Sequence, residues 1–163
     1  MRETKELSKI TLTDLISIDE IQKLQDLFAE SNNVASLITD PNGNPITKPT
    51  NFSRLCKDVI RKTKIGCANC FKSDSVIGRP NPTGPIVQQC LSGSLWDAGV
   101  SINIDNKHIA NWLIGQVRND DIDEQNMLKY ADTIGADREE FMDAYYEIPV
   151  MNKDKFEKIA KTL

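Results

Sequence analysis

Four cysteines, Cys56, Cys67, Cys70 and Cys90, are spaced C-x10-C-x2-C-x19-C along the chain. Cys67 and Cys70 stand one helical turn apart, or at a knuckle, and either arrangement lets both sulfurs reach one metal ion. Cys56 and Cys90 complete a four-thiolate set, the donor set that zinc takes in closed structural sites. The same thiolates suit an iron–sulfur cluster, and Cys67 with Cys70 suits a dithiol redox pair. Burial as ordinary core cysteines is the remaining alternative. A redox CxxC usually opens a helix after a strand, whereas this one follows Lys62-Thr63-Lys64 and Gly66. Lys57, Arg61, Lys62, Lys64 and Lys72 lie around the cysteines in sequence and would favour the thiolate form.

A second concentration of chemistry lies in Trp96-Asp97-Ala98-Gly99-Val100 and in the run His108-Ile109-Ala110-Asn111-Trp112-Leu113-Ile114-Gly115-Gln116-Val117. Strict alternation along the second run places His108, Ala110, Trp112, Ile114 and Gln116 on one face of a strand. Such a face offers a small ligand an apolar wall and a few hydrogen bonds. Core packing of Trp96 and Trp112, with a solvated His108, is the alternative. Catalysis has one obvious route, a thiol nucleophile paired with His108. With one histidine and neither a Gly-rich phosphate loop nor a metal-catalysis motif, no enzyme is expected.

The elements that must position these residues are legible. Ser17 and Glu20 form a capping box before a helix over about 18–31. Its Ile18, Ile21, Leu24, Leu27 and Phe28 predict the core-facing side. Residues 34–39 read as a strand, Asp40-Pro41-Asn42-Gly43-Asn44 as a turn, and Pro45-Ile46-Thr47 as the returning arm of a hairpin. Ser53 caps a second helix with Leu55, Val59 and Ile60 inward, and a third covers about 67–77. Three Pro and two Gly make 78–85 a loop. Strands follow over 86–89, 95–104 and 108–117, the last two joined by Asp105-Asn106-Lys107 and so paired antiparallel. Asp121 with Glu124, and Asp137 with Glu140, predict two helix starts separated by Gly135. Asn152 caps a last helix whose stripe, Phe156, Ile159, Ala160 and Leu163, still runs at the final residue. That stripe leads to the expectation that 152–163 continues into an output domain of a longer protein.

The 163 residues suit one domain, and a 39% hydrophobic share supports one ordinary core. Twenty Lys and Arg against 24 Asp and Glu give a net charge of −4, which argues against nucleic acid as a direct partner. No apolar run approaches a membrane span, and the charged start has no apolar leader segment, so a cytoplasmic, membrane-free protein is expected.

Several blocks, taken in order, resemble the PocR sensory domain. They are Leu12-Thr13-Asp14-Leu15-Ile16-Ser17-Ile18-Asp19, Thr39-Asp40-Pro41-Asn42-Gly43-Asn44-Pro45-Ile46, Asn51-Phe52-Ser53-Arg54-Leu55-Cys56, Gly66-Cys67-Ala68-Asn69-Cys70-Phe71-Lys72-Ser73-Asp74, Cys90-Leu91-Ser92-Gly93, and the two runs from Leu95 and His108. The resemblance spans roughly 10–162. It implies a single sensory domain over 1–163 with a core of about 10–151. The implied fold is α/β (α+β), a PAS-like antiparallel sheet flanked by helices, with a helical insertion carrying the cysteines. Such domains precede histidine kinases of two-component systems, diguanylate-cyclase-type proteins and transcription regulators, and are thought to bind small hydrocarbon derivatives such as propanediols or glycerol.

The expected function is therefore signal sensing through a bound diol-like molecule. Phe52, Trp96 and Trp112 would wall it, and Asn51, Asp97, His108 and Gln116 would meet its hydroxyls. The rival is a redox or metal sensor built on Cys56, Cys67, Cys70 and Cys90, holding zinc, an iron–sulfur cluster or no metal. A homodimer through the first or last helix would suit either.

Overall fold

The computed structural model describes residues 9–163; the charged residues 1–6, read above for the absence of a leader, lie outside that range. Among the described residues the chain forms one antiparallel sheet in the order β1-β4-β3-β2. The strands are β1 (Ala35–Thr39), β2 (Ile86–Gln89), β3 (Trp96–Ile104) and β4 (Lys107–Val117). This is the α+β, PAS-like arrangement that the sequence implied.

The predicted hairpin after β1 forms without a regular second strand. Asp40 Oδ1 accepts the amides of Asn42 and Asn44 at 2.8 and 2.9 Å and closes the turn. The chain then returns along the free edge of β1 through single bridges, Thr39 with Pro45 and Ser36 with Thr50. Pro45 and Pro49 lack the amides a continuous ladder needs.

Helix α1 (Ile18–Asn32) starts as predicted, with the Ser17 hydroxyl accepting the Glu20 amide at 3.2 Å. Its predicted apolar face docks only in part, through Ile21 and Phe28. Ile21 and Ala29 are buried, but Ile18, Leu24 and Leu27 are 47%, 50% and 62% exposed. The centre of the contact is polar. Gln25 is fully buried and donates to Lys48 O at 2.8 Å, Thr50 Oγ1 at 2.7 Å and Ser36 O at 3.2 Å, while accepting from Thr47 Oγ1. Gln25 supplies the hydrogen bonds that the broken ladder leaves unmade. That requirement, rather than apolar count, sets the rotation of α1.

Beyond the edge segment, a π-helical turn (Leu55–Ile60) precedes α2 (Lys64–Ile77), with Thr63 capping Gly66 at 3.0 Å. After the sheet come α3 (Glu124–Ile134), α4 (Arg138–Tyr146) and α5 (Lys153–Ala160). Asp137 and Asn152 cap as predicted. Asp121 does not: Asp123 takes the Asn126 amide at 3.1 Å, because the helix begins at Glu124.

The sheet has two unlike faces. On one, α1 and α5 cover Ala98, Ile114 and Val117, with Phe28, Trp96 and Trp112 packed at the margin and Phe156 fully buried. On the other, the π-helical turn, α3 and α4 build an apolar core around Leu55, Ile60, Leu95 and Phe141, which Cys56 and Cys70 join. No described helix is long and apolar enough to cross a membrane.

Candidate functional site

Between the second face of the sheet and its helical cover lies a cavity of about 40 Å³. One water needs roughly 10–15 Å³ on this measure, so there is room for three to four water-sized groups. Leu37, Asp97, Leu113 and Gly115 form its floor. Cys56, Cys70, Ile77 and Cys90 give it apolar and sulfur walls, and Phe52, Arg61, Asp74 and Gln116 complete it.

Local backbone features create this composition. Arg61 N donates to Cys56 O at 3.1 Å, the i to i−5 bond of a π-turn, and the wider turn brings both side chains to the cavity. Helix α2 approaches β3 closely because Gly99 has no side chain; a Cβ there would lie 2.9 Å from Ile77 O. Gly115 does the same for Asp97, since a Cβ would lie 1.9 Å from Asp97 Oδ1.

β4 does not alternate strictly. Its register against β3 shifts between Trp96 and Ala98 and again between Ile102 and Asn103, each time setting an extra β4 residue against one on β3. A one-residue bulge exchanges the faces of everything beyond it. Ile114 and Val117 consequently share one core, while Gln116, with φ of 58°, turns to the cavity. His108 is turned likewise, onto the face of Asn111, whose Oδ1 lies 2.6 Å from its Nε2. The single face predicted to hold His108, Trp112 and Gln116 together does not exist.

Of the predicted ligand residues, Phe52, Asp97 and Gln116 meet at the cavity. Asn51 lies beside it in an adjoining hollow of about 210 Å³ that shares Ala35, Gly115 and Gln116 with the cavity. Trp112 lies under α1, donating to Ser36 Oγ at 3.0 Å and packing edge-on against Phe28 at 5.8 Å. Trp96 lies under α5, with Lys153 Nζ 4.9 Å from its ring centroid. His108 is at the far end of β4 from Gln116.

Of the cysteines, Cys56, Cys70 and Cys90 line the cavity, and Cys67 does not. All four are free thiols. Among the described residues no group of three or more His, Cys, Asp or Glu side chains is placed to hold a metal ion. Burial pushes the thiols of Cys56, Cys70 and Cys90 up, so they are protonated at neutral pH. The expected stabilisation of thiolates is overturned on the same ground. Lys57, Lys62, Lys64 and Lys72 are exposed, and Arg61 alone of the five lines the cavity. The four thiols are thus not gathered at one point: three line the cavity and Cys67 does not.

The charges in the cavity are few. Arg61 Nη2 is 3.0 Å from Asp74 Oδ2, and the guanidinium lies over the Phe52 ring at 5.0 Å and the Phe71 ring at 5.8 Å. Burial pushes the Asp74 carboxyl up to about 6 against the opposing pull of Arg61. Burial pushes Asp97 up to about 7, although the Gln116 amide, donating to its Oδ1 at 2.9 Å, pulls the other way. The Gln116 side-chain Oε1 in turn accepts the Ser53 amide at 2.6 Å, joining the bulge to the start of the π-turn. These two bonds hold a non-glycine residue in the left-handed region, where it would otherwise be unfavourable.

The family model for the sensory domain found in PocR matches residues 14–163, nearly the whole chain. The chain belongs to the PocR sensory-domain family. No curated protein and no solved structure matches it. Membership gives this PocR domain a signal-sensing role.

Sequence reasoning undervalued Arg61, Asp74, Ser73 and Ser92 in this PocR domain. A signal for Asp74 was present: Cys70, Ser73, Asp74 and Ile77 recur at helical spacing on the buried side of α2. Arg61 carried no such signal, because only the π-turn and the sandwich between Phe52 and Phe71 bring it inside.

Proposed function

We propose that this PocR domain senses a small hydrocarbon derivative of the propanediol or glycerol type, bound in the cavity between Asp97, Arg61 and the Cys56–Cys70–Cys90 wall. The observation that carries the reading is a small, mainly apolar cavity with a few buried polar groups converging on it. The cavity itself performs no chemistry. A ligand of about five heavy atoms, at a ceiling near −1.5 kcal/mol per atom, binds no tighter than a few micromolar.

Occupancy would be relayed as a shift in population between free and bound forms. The relay would start at Asp97 and the Gln116 bulge, both in contact with the cavity. Two residues on, Arg118 exchanges backbone hydrogen bonds with Pro149 and Met151, both at 3.1 Å, just before Asn152 caps α5. A kinase or transcription-regulator output in the cytoplasm would read the movement of α5. Two copies would join along α1, whose Leu24 and Leu27 face outward; a monomeric mass in sedimentation would remove that part of the reading.

The test is a melting-temperature series of the protein with 1,2-propanediol, 1,3-propanediol, ethylene glycol, glycerol and ethanol at tens of millimolar. A ligand that binds only the folded state raises the melting point by mass action, so even millimolar binders register. A rise with one diol over its isomers is expected. No rise with any of them would overturn the proposal.

A further inference from the structure

Glu20, Leu24, Leu27 and Ser31 recur along α1 at spacings of four, three and four, and all are exposed. That spacing puts them in one stripe, at the seam positions of a two-helix coil, on the side turned away from the buried Gln25 and Ala29. Lys23 and Glu30 run along one flank of the stripe, each one residue before a seam position, and both are exposed. Among the described residues neither takes part in an ion pair. The opposite flank, Ile21 and Phe28, turns into the protein.

The order of these charges separates the two ways of laying one copy on another. In an antiparallel pair, Leu24 meets the partner's Leu27, and positions 23 and 30 of the two copies face each other across the flank. Lys23 then meets the partner's Glu30, and a two-fold axis repeats the pair, as an isologous contact requires. Glu20 falls opposite the partner's Ser31, so no like charges meet. A parallel pair would stack Glu20 on the partner's Glu20 and set Lys23 against the partner's Phe28.

We propose that this face of α1 is covered by a second copy of the chain, antiparallel, with Leu24 against Leu27 and two Lys23–Glu30 pairs setting the register. The proposal rests on the α1 association given above and assigns its geometry. The leucines supply the attraction and the charges the orientation, since an exposed ion pair adds little while like charges in the same place repel. Two leucines from each copy make a small contact, so the dimer is of the weak, transient class and forms at high protein concentration.

The experiment is sedimentation equilibrium of the full chain and of charge-reversed variants. Lys23→Glu opposes two acids at both ends of the contact and should weaken the dimer about ten-fold or more. Glu30→Lys opposes two bases and should do the same. The chain with both reversals restores each pair in the opposite sense and should return to within about three-fold of wild type. An equimolar mixture of the two single variants should form a mixed dimer tighter than either variant forms alone. Leu24→Ser should leave a monomer. All of these positions are exposed, so the melting temperature of each variant checks that only association has changed.

Unchanged association in both single variants, or loss that the double reversal does not recover, would overturn the antiparallel register and leave the α1 association standing. A wild-type chain that stays monomeric, or a Leu24→Ser chain that still dimerises, would overturn both.

Discussion

The two faces of the sheet are built to opposite rules. The α1–α5 face is filled by large rings and aliphatic chains, and Phe156 and Ala98 are fully buried there. The face under α2 replaces bulk with Gly99, Gly115 and three thiols, then places an ion pair and a lone carboxyl inside. The first face supplies stability and has nothing to recognise. The second gives up packing for a cavity lined by a few polar groups. Two families with the same sheet could therefore share the first face and differ in ligand through the second.

The largest contrast should come from Phe156→Ala, a full-burial truncation costing about 3–5 kcal/mol in urea unfolding. Trp112→Ala, only partly buried, should cost somewhat less. Diol affinity of either folded variant should remain within about two-fold, since remote effects usually stay additive. A folded Trp112→Ala protein that no longer binds would erase the division between the faces.

The next effect is one of pH. Asp97 titrates near 7 in the folded chain, against about 3.9 when unfolded. A raised folded pKa means that its contribution is fully present below about pH 4 and is lost as pH rises through 7. Asp74, raised to about 6, acts in the same direction. Unfolding free energy should thus fall between pH 5 and 8, by an amount on the order of 2–4 kcal/mol for Asp97. Asp97→Asn should flatten that slope. A flat wild-type profile would mean that the carboxyl is solvated, and a slope of the opposite sign that its ionised form is the one held by the fold.

Gly115→Ala tests how tightly the second face is fitted. A Cβ 1.9 Å from Asp97 Oδ1 must displace the carboxyl. Overpacking of this kind costs about 1–3 kcal/mol, and calorimetry should find diol binding lost.

The smallest expected effect belongs to Cys67. It is partly exposed, so it should react with a disulfide reagent well before Cys56 and Cys70, which are buried and stay slow until the chain unfolds. Cys67→Ser should change stability by less than about 0.5 kcal/mol. Fast reaction of Cys56 and Cys70 in the folded protein would transfer support to the redox-sensor reading.

Much of the fold was legible because its signals are local. Ser17, Asp137 and Asn152 cap the helices they were expected to cap, and the β3–β4 pair follows from alternating apolar residues around a tight turn. Phe52, Asp97 and Gln116 were named for the site and do meet at the cavity. His108, Trp96 and Trp112 were grouped with them by a parity rule that the bulges defeat. The leucine stripe of α1 misled for a related reason: Gln25 answers a hydrogen-bond shortfall on a distant edge segment, which periodicity cannot register.

By itself, then, the sequence determined which segments coil, extend and turn, since caps, prolines and apolar spacing act within a few residues of one another. It also determined the family, through blocks that occur in order. The tertiary structure alone decided which side of the sheet each β4 side chain faces, because a bulge exists only relative to the partner strand. It alone decided that Arg61 and Asp97 lie inside, because burial is a property of segments far apart in the chain and brought together only by packing.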